Sequence, residues 1–264
     1  MALDERIISK AIIERYSQKL LSQLDCDCVI VGGGPAGLIC GYELAKNGFK
    51  VTLFDKRLSV GGGMWGGAMM FNEIVVQEDV KAILDEFGIK TVLYEPNYYT
   101  ADSIEAISTL ISKTVKAGVK IFNGIEIEDV VLKKVDGQYR VGGVVINWTT
   151  VNMASLPVDP IVVSASFTVD ATGHDAHLAQ TLVRKAGVKL NTDSGDVPGE
   201  KPMWADVGEQ DTVNHTKERY NGLYGCGMAA NACSGAHRMG PIFGGMLNSG
   251  KKCASLILEK WGKK

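Results

Sequence analysis

Apolar residues recur at three- and four-residue steps from Leu3 to Leu24 (Leu3, Ile7, Ile8, Ala11, Ile12, Tyr16, Leu20 and Leu24), with charges between them. That period predicts an amphipathic helix over about 3–24. Both signs of charge mix on its polar face, which favours packing on the body of the protein or on another subunit over lying on a membrane. A short apolar strand, Cys28 to Val31, then runs into Gly32-Gly33-Gly34-Pro35-Ala36-Gly37. Leu38 to Asn47 reads as a helix stopped by Gly48, and Val51 to Phe54 as a second strand ending at Asp55. Strand, glycine turn, helix and strand in this order predict a right-handed βαβ unit of a parallel sheet.

Further along, helices are expected at 78–87, 103–117, 176–186 and 245–261, and short strands at 167–170 and 222–224. The stretch of about 119–148 is β-rich with a turn at Asp136-Gly137, so an antiparallel β layer is expected to interrupt the parallel sheet. Residues 189–200, rich in Gly, Pro, Asn, Asp and Ser, are expected to form a mobile surface loop. The fold class is therefore α/β, with a Rossmann-like dinucleotide-binding parallel sheet, flanking helices and an inserted antiparallel layer. One domain is expected to span 1–264.

Composition narrows the function. The 264 residues include 31 glycines, above the usual ~7%, so glycine is concentrated in particular turns. A net charge of −2 offers no electrostatic case for nucleic acid or an anionic membrane as partner. The six cysteines form no C-x-x-C pair and no zinc-type quartet, and the first residues carry acids where a signal peptide has an apolar core. No uninterrupted run of about 20 apolar residues is present. These features predict a cytoplasmic protein with reduced thiols and no membrane span.

Gly32, Gly34 and Gly37 satisfy G-x-G-x-x-G between a strand and a helix, the context that gives the motif meaning. The first glycine permits the turn, the second lets backbone approach a pyrophosphate, and the third lets helix and strand pack closely. The phosphates then meet the positive end of the helix. Asp55, 23 residues after Gly32, stands where a carboxylate accepts both ribose hydroxyls of an adenosine and repels a 2′-phosphate, which favours NAD or FAD over NADP. A flavin enzyme is less well equipped, because Gly222 to Gly227 ends in Met228 where a carboxylate for the ribityl chain is expected. Gly61 to Gly67 holds five glycines around Met64 and Trp65, apolar residues a free linker does not need. Asp159, before a strand, and His174, at a helix start, suit a divalent metal such as iron, or else serve as a turn residue and a hydrogen-bonded helix start. Arg238 is placed equally to clamp a carboxylate or to form a structural salt bridge.

The segments VGGGPAGL (31–38), FDK (54–56), GGGMWGG (61–67), VDP (158–160), ATGHDA (171–176), GLYGCGM (222–228) and RMGPIFGGML (238–247) together resemble the thiamine thiazole synthases, most closely their sulfide-using, iron-dependent branch. The resemblance covers nearly the whole chain in order. It implies that NAD is a substrate: nicotinamide is expelled, the ADP-ribose sugar rearranges and condenses with glycine, sulfur is added, and an adenylated thiazole carboxylate forms. It implies that Asp159 and His174 hold Fe(II), with Asp159 reaching the site of an adjacent subunit, and that Arg238 binds the glycine carboxylate. Ala36, Asp55, Lys56, Gly63, Ile127 and Met228 are implied around NAD, with Pro157 and Val158 contributed by a neighbouring chain of a homo-octamer. Pro157 departs from the family pattern. The single-turnover branch has a sulfur-donating cysteine there and much of the sulfide-using branch a histidine, and proline can replace neither. Rival readings are a ribose-1,5-bisphosphate isomerase-type enzyme and a FAD- or NAD-dependent oxidoreductase.

Overall fold

The computed structural model describes residues 3–262. In chain order its elements are α1 (Glu5–Leu21), β1 (Asp25–Val31), α2 (Pro35–Lys46), β2 (Val51–Asp55), a 3-10 turn (Gly62–Gly66), β3 (Glu73–Val76), α3 (Glu78–Phe87), β4 (Val92–Glu95), β5 (Tyr98–Asp102), α4 (Ser103–Ala117) and β6 (Lys120–Asn123). There follow β7 (Ile125–Val135), β8 (Gln138–Trp148), α5 (Thr149–Met153), β9 (Ile161–Asp170), a 3-10 turn (Gly173–Asp175), α6 (His177–Ala186), α7 (Ala205–Asn214), β10 (Lys217–Tyr220), β11 (Leu223–Gly225), α8 (Met228–Ser234) and α9 (Gly244–Trp261).

The main sheet runs β10-β11-β9-β1-β2-β6, and the pairs from β11 through to β6 are parallel. Strands covered on both faces carry near-continuous apolar runs. In β1, Cys28 and Ile30 enter one core cluster with Leu38, Leu44 and Leu110, while Val29 and Val31 enter a second with Leu178, Leu182 and Ala229. The alternation follows from the two-residue period of a strand. Leu38, Ile39 and Leu44 of α2 are at most 1% exposed, and burying each contributes about 1.5–3 kcal/mol.

The structure refines the expected insertion. Of the β-rich stretch, β6 belongs to the parallel sheet beside β2, and only β7 and β8 form the antiparallel hairpin, turning through Asp136 and Gly137 at positive φ. β8 pairs antiparallel with the first half of β9, whose second half runs parallel to β1, so one long strand joins the hairpin to the parallel sheet. A separate antiparallel sheet, β3-β5-β4, has no counterpart in the sequence reading. Its strands are four or five residues long, too short for a period-2 signal to stand out.

Two other expectations change in detail. A helix forms at the expected place as α1, but its apolar residues are spread around it rather than gathered on one face: only Tyr16 and Leu20, with Leu24 just beyond its end, pack on the core, while Ile7, Ile8 and Ile12 stay 66%, 46% and 65% exposed. Residues 189–200 lack regular structure yet are tethered. Asn191 donates its backbone N–H to Arg219 O at 2.6 Å and Gly199 donates to Ala232 O at 3.0 Å.

Candidate functional site

The carboxyl ends of β1, β2, β9 and β11 converge on one side of the sheet, where open α/β folds place their ligands. From these ends come Gly32, Asp55, the loop bearing His174, and Met228, all lining one cavity of about 1170 Å³. That exceeds the roughly 300–1,000 Å³ of sites for drug-sized molecules and suits an extended dinucleotide.

The glycine turn behaves as its spacing predicts. Gly32 has φ +103°, and a Cβ there would strike the carbonyl oxygen of Ala171, while one on Gly37 would strike the Gly32 carbonyl. Gly34 differs, since a Cβ there meets nothing within 4 Å because the cavity lies in front of it. α2 starts with Pro35, which needs no N–H at that position, and its first turn points unpaired N–H groups at the cavity wall formed by Gly34 and Ala36. Asp55, 9% exposed, accepts the backbone N–H of Gly33 through Oδ2 and that of Arg57 through Oδ1, each at 2.8 Å. Lys56 and Arg57 continue the cavity wall and supply positive charge. The Gly61–Gly67 segment is no free linker. Met64 is fully buried, Trp65 donates Nε1–H to Val60 O at 2.8 Å, and Gly62 and Gly63 face the cavity. Ile127 and Met228, both nearly buried, complete the apolar part of the wall.

His174 sits on a short turn built by Asp170. That carboxylate, at the end of β9 and 1% exposed, accepts N–H groups of Leu178 at 2.9 Å and Ala179 at 3.0 Å through one oxygen, and the Thr172 hydroxyl at 2.7 Å through the other. It thereby caps α6 and holds the loop between. The His174 Nδ1 lies 2.7 Å from Glu200 Oε2, and His177 Nε2 lies 2.9 Å from Ile127 O. Asp170, Glu200 and His177 escaped the sequence reading. Of the three, only Asp170 carries a local signal, an acid ending an apolar strand ahead of a helix. Arg238 lines the cavity, and its guanidinium makes no ion pair among the described residues.

Asp159, Pro157 and Val158 do not line this cavity. They lie on an exposed irregular stretch between α5 and β9, beside Met153 at 80% and Leu156 at 54% exposure. The chain therefore does not bring Asp159 to its own His174. Among the described residues no group of three or more His, Cys, Asp or Glu side chains is arranged to hold a metal. All six cysteines are free and buried. Burial pushes the Cys233 thiol up to about 12, and a hydrogen bond with Cys253 together with burial raises Cys226 well above the usual thiol range. Behind Phe243, which lines the cavity, Glu209 accepts the N–H of Gly245 at the start of α9, and burial raises its carboxyl to about 7. No helix among the described residues is long and apolar enough to cross a membrane.

Comparison with known proteins gives three consistent findings. The profile of the Thi4 family matches residues 9–243. A thiamine thiazole synthase of Pyrococcus furiosus is 54% identical over 98% of this chain and 99% of its own length, and one of Thermococcus kodakarensis is 56% identical over 97% and 98%. The crystal structure of Thermovibrio ammonificans THI4 superposes with a TM-score of 0.97 at 60% identity, covering 99% of this chain and all of that one.

Proposed function

Since the chain belongs to the Thi4 family and is an enzyme of thiamine biosynthesis making a thiazole, we propose that it uses NAD, glycine and sulfide as substrates and Fe(II) as its metal. Nicotinamide leaves, and the remaining ADP-ribose sugar is converted to an adenylated thiazole carboxylate. The observation that carries this reading is the meeting, in one cavity, of a glycine-rich turn with Asp55, an imidazole held by a carboxylate, and an arginine whose guanidinium has no ion-pair partner among the described residues. An oxidoreductase has no need of the last two together.

The chain's own groups divide the work. Asp55 and the backbone of Gly34, Ala36 and Gly37 bind the adenosine ribose and the pyrophosphate. Lys56, Gly63, Ile127 and Met228 line the dinucleotide's path and exclude water from it. Arg238 takes the glycine carboxylate by two parallel hydrogen bonds, which neutralises and orients a zwitterion.

The donor set fits iron: an imidazole with one ring nitrogen occupied by a carboxylate suits a divalent transition metal through the other. Asp159 supplies the second ligand from an adjacent copy in a homo-oligomer, an octamer by family resemblance. The exposed apolar residues Leu156 and Val158 around it support burial against a neighbour, with Pro157 and Val158 approaching that neighbour's NAD. When bound, Fe(II) supplies Lewis acidity and open positions for a soft anion such as sulfide.

Sulfur comes from solution. Pro157 has none to give, and Cys226 and Cys233 are wholly buried with their thiols held protonated. Such thiols, reduced in a cytoplasmic setting, are poor nucleophiles. The test is anaerobic turnover with NAD, glycine, sulfide and Fe(II). Product and nicotinamide should both exceed the enzyme in molar terms, with the intact protein mass unchanged. Product that stops at one equivalent, with a cysteine converted to dehydroalanine, overturns the sulfur assignment. Release of nicotinamide independent of glycine and sulfide, with no thiazole, overturns the reaction.

A further inference from the structure

We propose that Glu200 is the positioning residue of His174, setting which ring nitrogen is free to bind metal; the inference rests on the reading of His174 as a ligand. A carboxylate only accepts hydrogen bonds, so the 2.7 Å contact with Glu200 Oε2 requires the proton on Nδ1 of the neutral ring and leaves the lone pair on Nε2. The two side chains are unequally held. The imidazole is 52% exposed and the Glu200 side chain 13%. Among the described residues no other hydrogen bond fixes the rotation of the histidine ring.

Glu200 is itself anchored from both sides. Gly199 donates its N–H to Ala232 O at 3.0 Å, and Lys201 donates to Ala236 O at 2.9 Å. Arg238 returns a hydrogen bond from its N–H to Lys201 O at 3.2 Å, and Lys201 and His237 form a parallel bridge. The backbone beside Glu200 is thus bonded to the segment that carries Arg238, and one strap sets the distance between the histidine and the arginine. The remaining carboxylate oxygen, Oε1, is buried and has no hydrogen-bond partner. A fold that needed only a spacer here would hold an apolar side chain, since an unpaired buried oxygen is unfavourable. The placement gives Glu200 the outer part of a carboxylate–histidine–metal arrangement.

The experiment is anaerobic titration of the assembled protein with Co(II) alone, followed by its visible absorption, with circular dichroism and denaturant unfolding as the control for folding. Glu200→Ala should weaken Co(II) binding about 10–100-fold, the usual effect of removing such a partner, while its circular-dichroism spectrum and denaturant midpoint show it folded. Glu200→Gln keeps an acceptor for Nδ1–H and should restore most of the lost affinity. Wild-type Co(II) binding in Glu200→Ala, alongside its loss in His174→Ala, overturns the positioning role and leaves the metal reading standing. Wild-type Co(II) binding in His174→Ala overturns the metal reading itself. Where Glu200→Ala does not fold, Glu200→Asp replaces it. The shortened side chain should weaken Co(II) binding, and unchanged binding overturns the proposal.

Discussion

The carboxylate of Asp55 accepts the backbone N–H of Gly33 at 2.8 Å and so ties the end of β2 to the glycine turn that follows β1. One side chain therefore both shapes the glycine turn and faces the cavity with its remaining lone pairs. Asp55→Ala should lose stability, by about 1–3 kcal/mol for the N–H groups left unpaired, and bind NAD at least about tenfold more weakly. Asp55→Asn keeps an acceptor for Gly33 and should recover stability more than affinity. Calorimetry and denaturant titration separate the two, and unchanged NAD affinity in Asp55→Ala removes the ribose assignment.

Two glycines of the fingerprint, Gly37 and Gly34, should fail in different ways. A methyl on Gly37 meets the carbonyl of Gly32, and its insertion distorts the packing of α2 on β1, so Gly37→Ala should unfold at markedly lower denaturant. A methyl on Gly34 meets no protein atom within 4 Å. Gly34→Ala should fold as the parent does yet bind NAD poorly, because the methyl occupies the space where backbone approaches phosphate. Parental NAD affinity in Gly34→Ala contradicts that placement of the pyrophosphate.

Arg238→Lys retains a positive charge and loses the planar fork. The glycine concentration needed for half-maximal thiazole formation should rise at least about tenfold, the loss of roughly one charge-assisted hydrogen bond, with NAD binding little altered. A glycine dependence matching the parent's refutes the clamp.

Glu209 makes stability depend on pH. Its carboxyl, raised by burial to about 7 from an ordinary 4.5, binds its proton more tightly in the folded chain than in the unfolded one. Stability from this group is therefore greatest below the unfolded value and falls as pH climbs from about 4.5 to about 7, after which the penalty is constant. The full span amounts to roughly 3 kcal/mol at about 1.4 kcal/mol per unit. Glu209→Gln should remove this slope and be the more stable form at pH ~8. Because Glu209 bonds Gly245 just beyond Phe243 of the cavity wall, the variant also tests how firmly that wall is held. Denaturant midpoints across the pH range that run parallel for parent and variant refute the assignment.

Much of the fold is local and therefore readable along the chain. A strand buried on both faces requires a continuous apolar run, a turn that brings backbone against backbone requires Gly32 and Gly37, and an amphipathic helix shows its period. α3 and α4 accordingly begin and end where their patterns do. Part of the cavity's residue set is legible too, since Asp55 ends an apolar strand and His174 and Arg238 lie within two residues of a glycine, Gly173 and Gly240.

What tertiary structure decided is which distant groups meet. Glu200 lies 26 residues from His174 in a stretch with no period, and only the bonds that strap it to Ala232 and Ala236 bring its carboxylate to the ring. Asp159 and His174 are 15 positions apart yet are not brought together in one chain, because β9 carries the strand's end away from its beginning. β8 joins the sheet through β9 rather than forming a layer of its own because backbone N–H and C=O groups need partners, and the first half of β9 has an edge to offer. Such pairings depend on the free energy of the whole assembly of strands, and no window of sequence contains it.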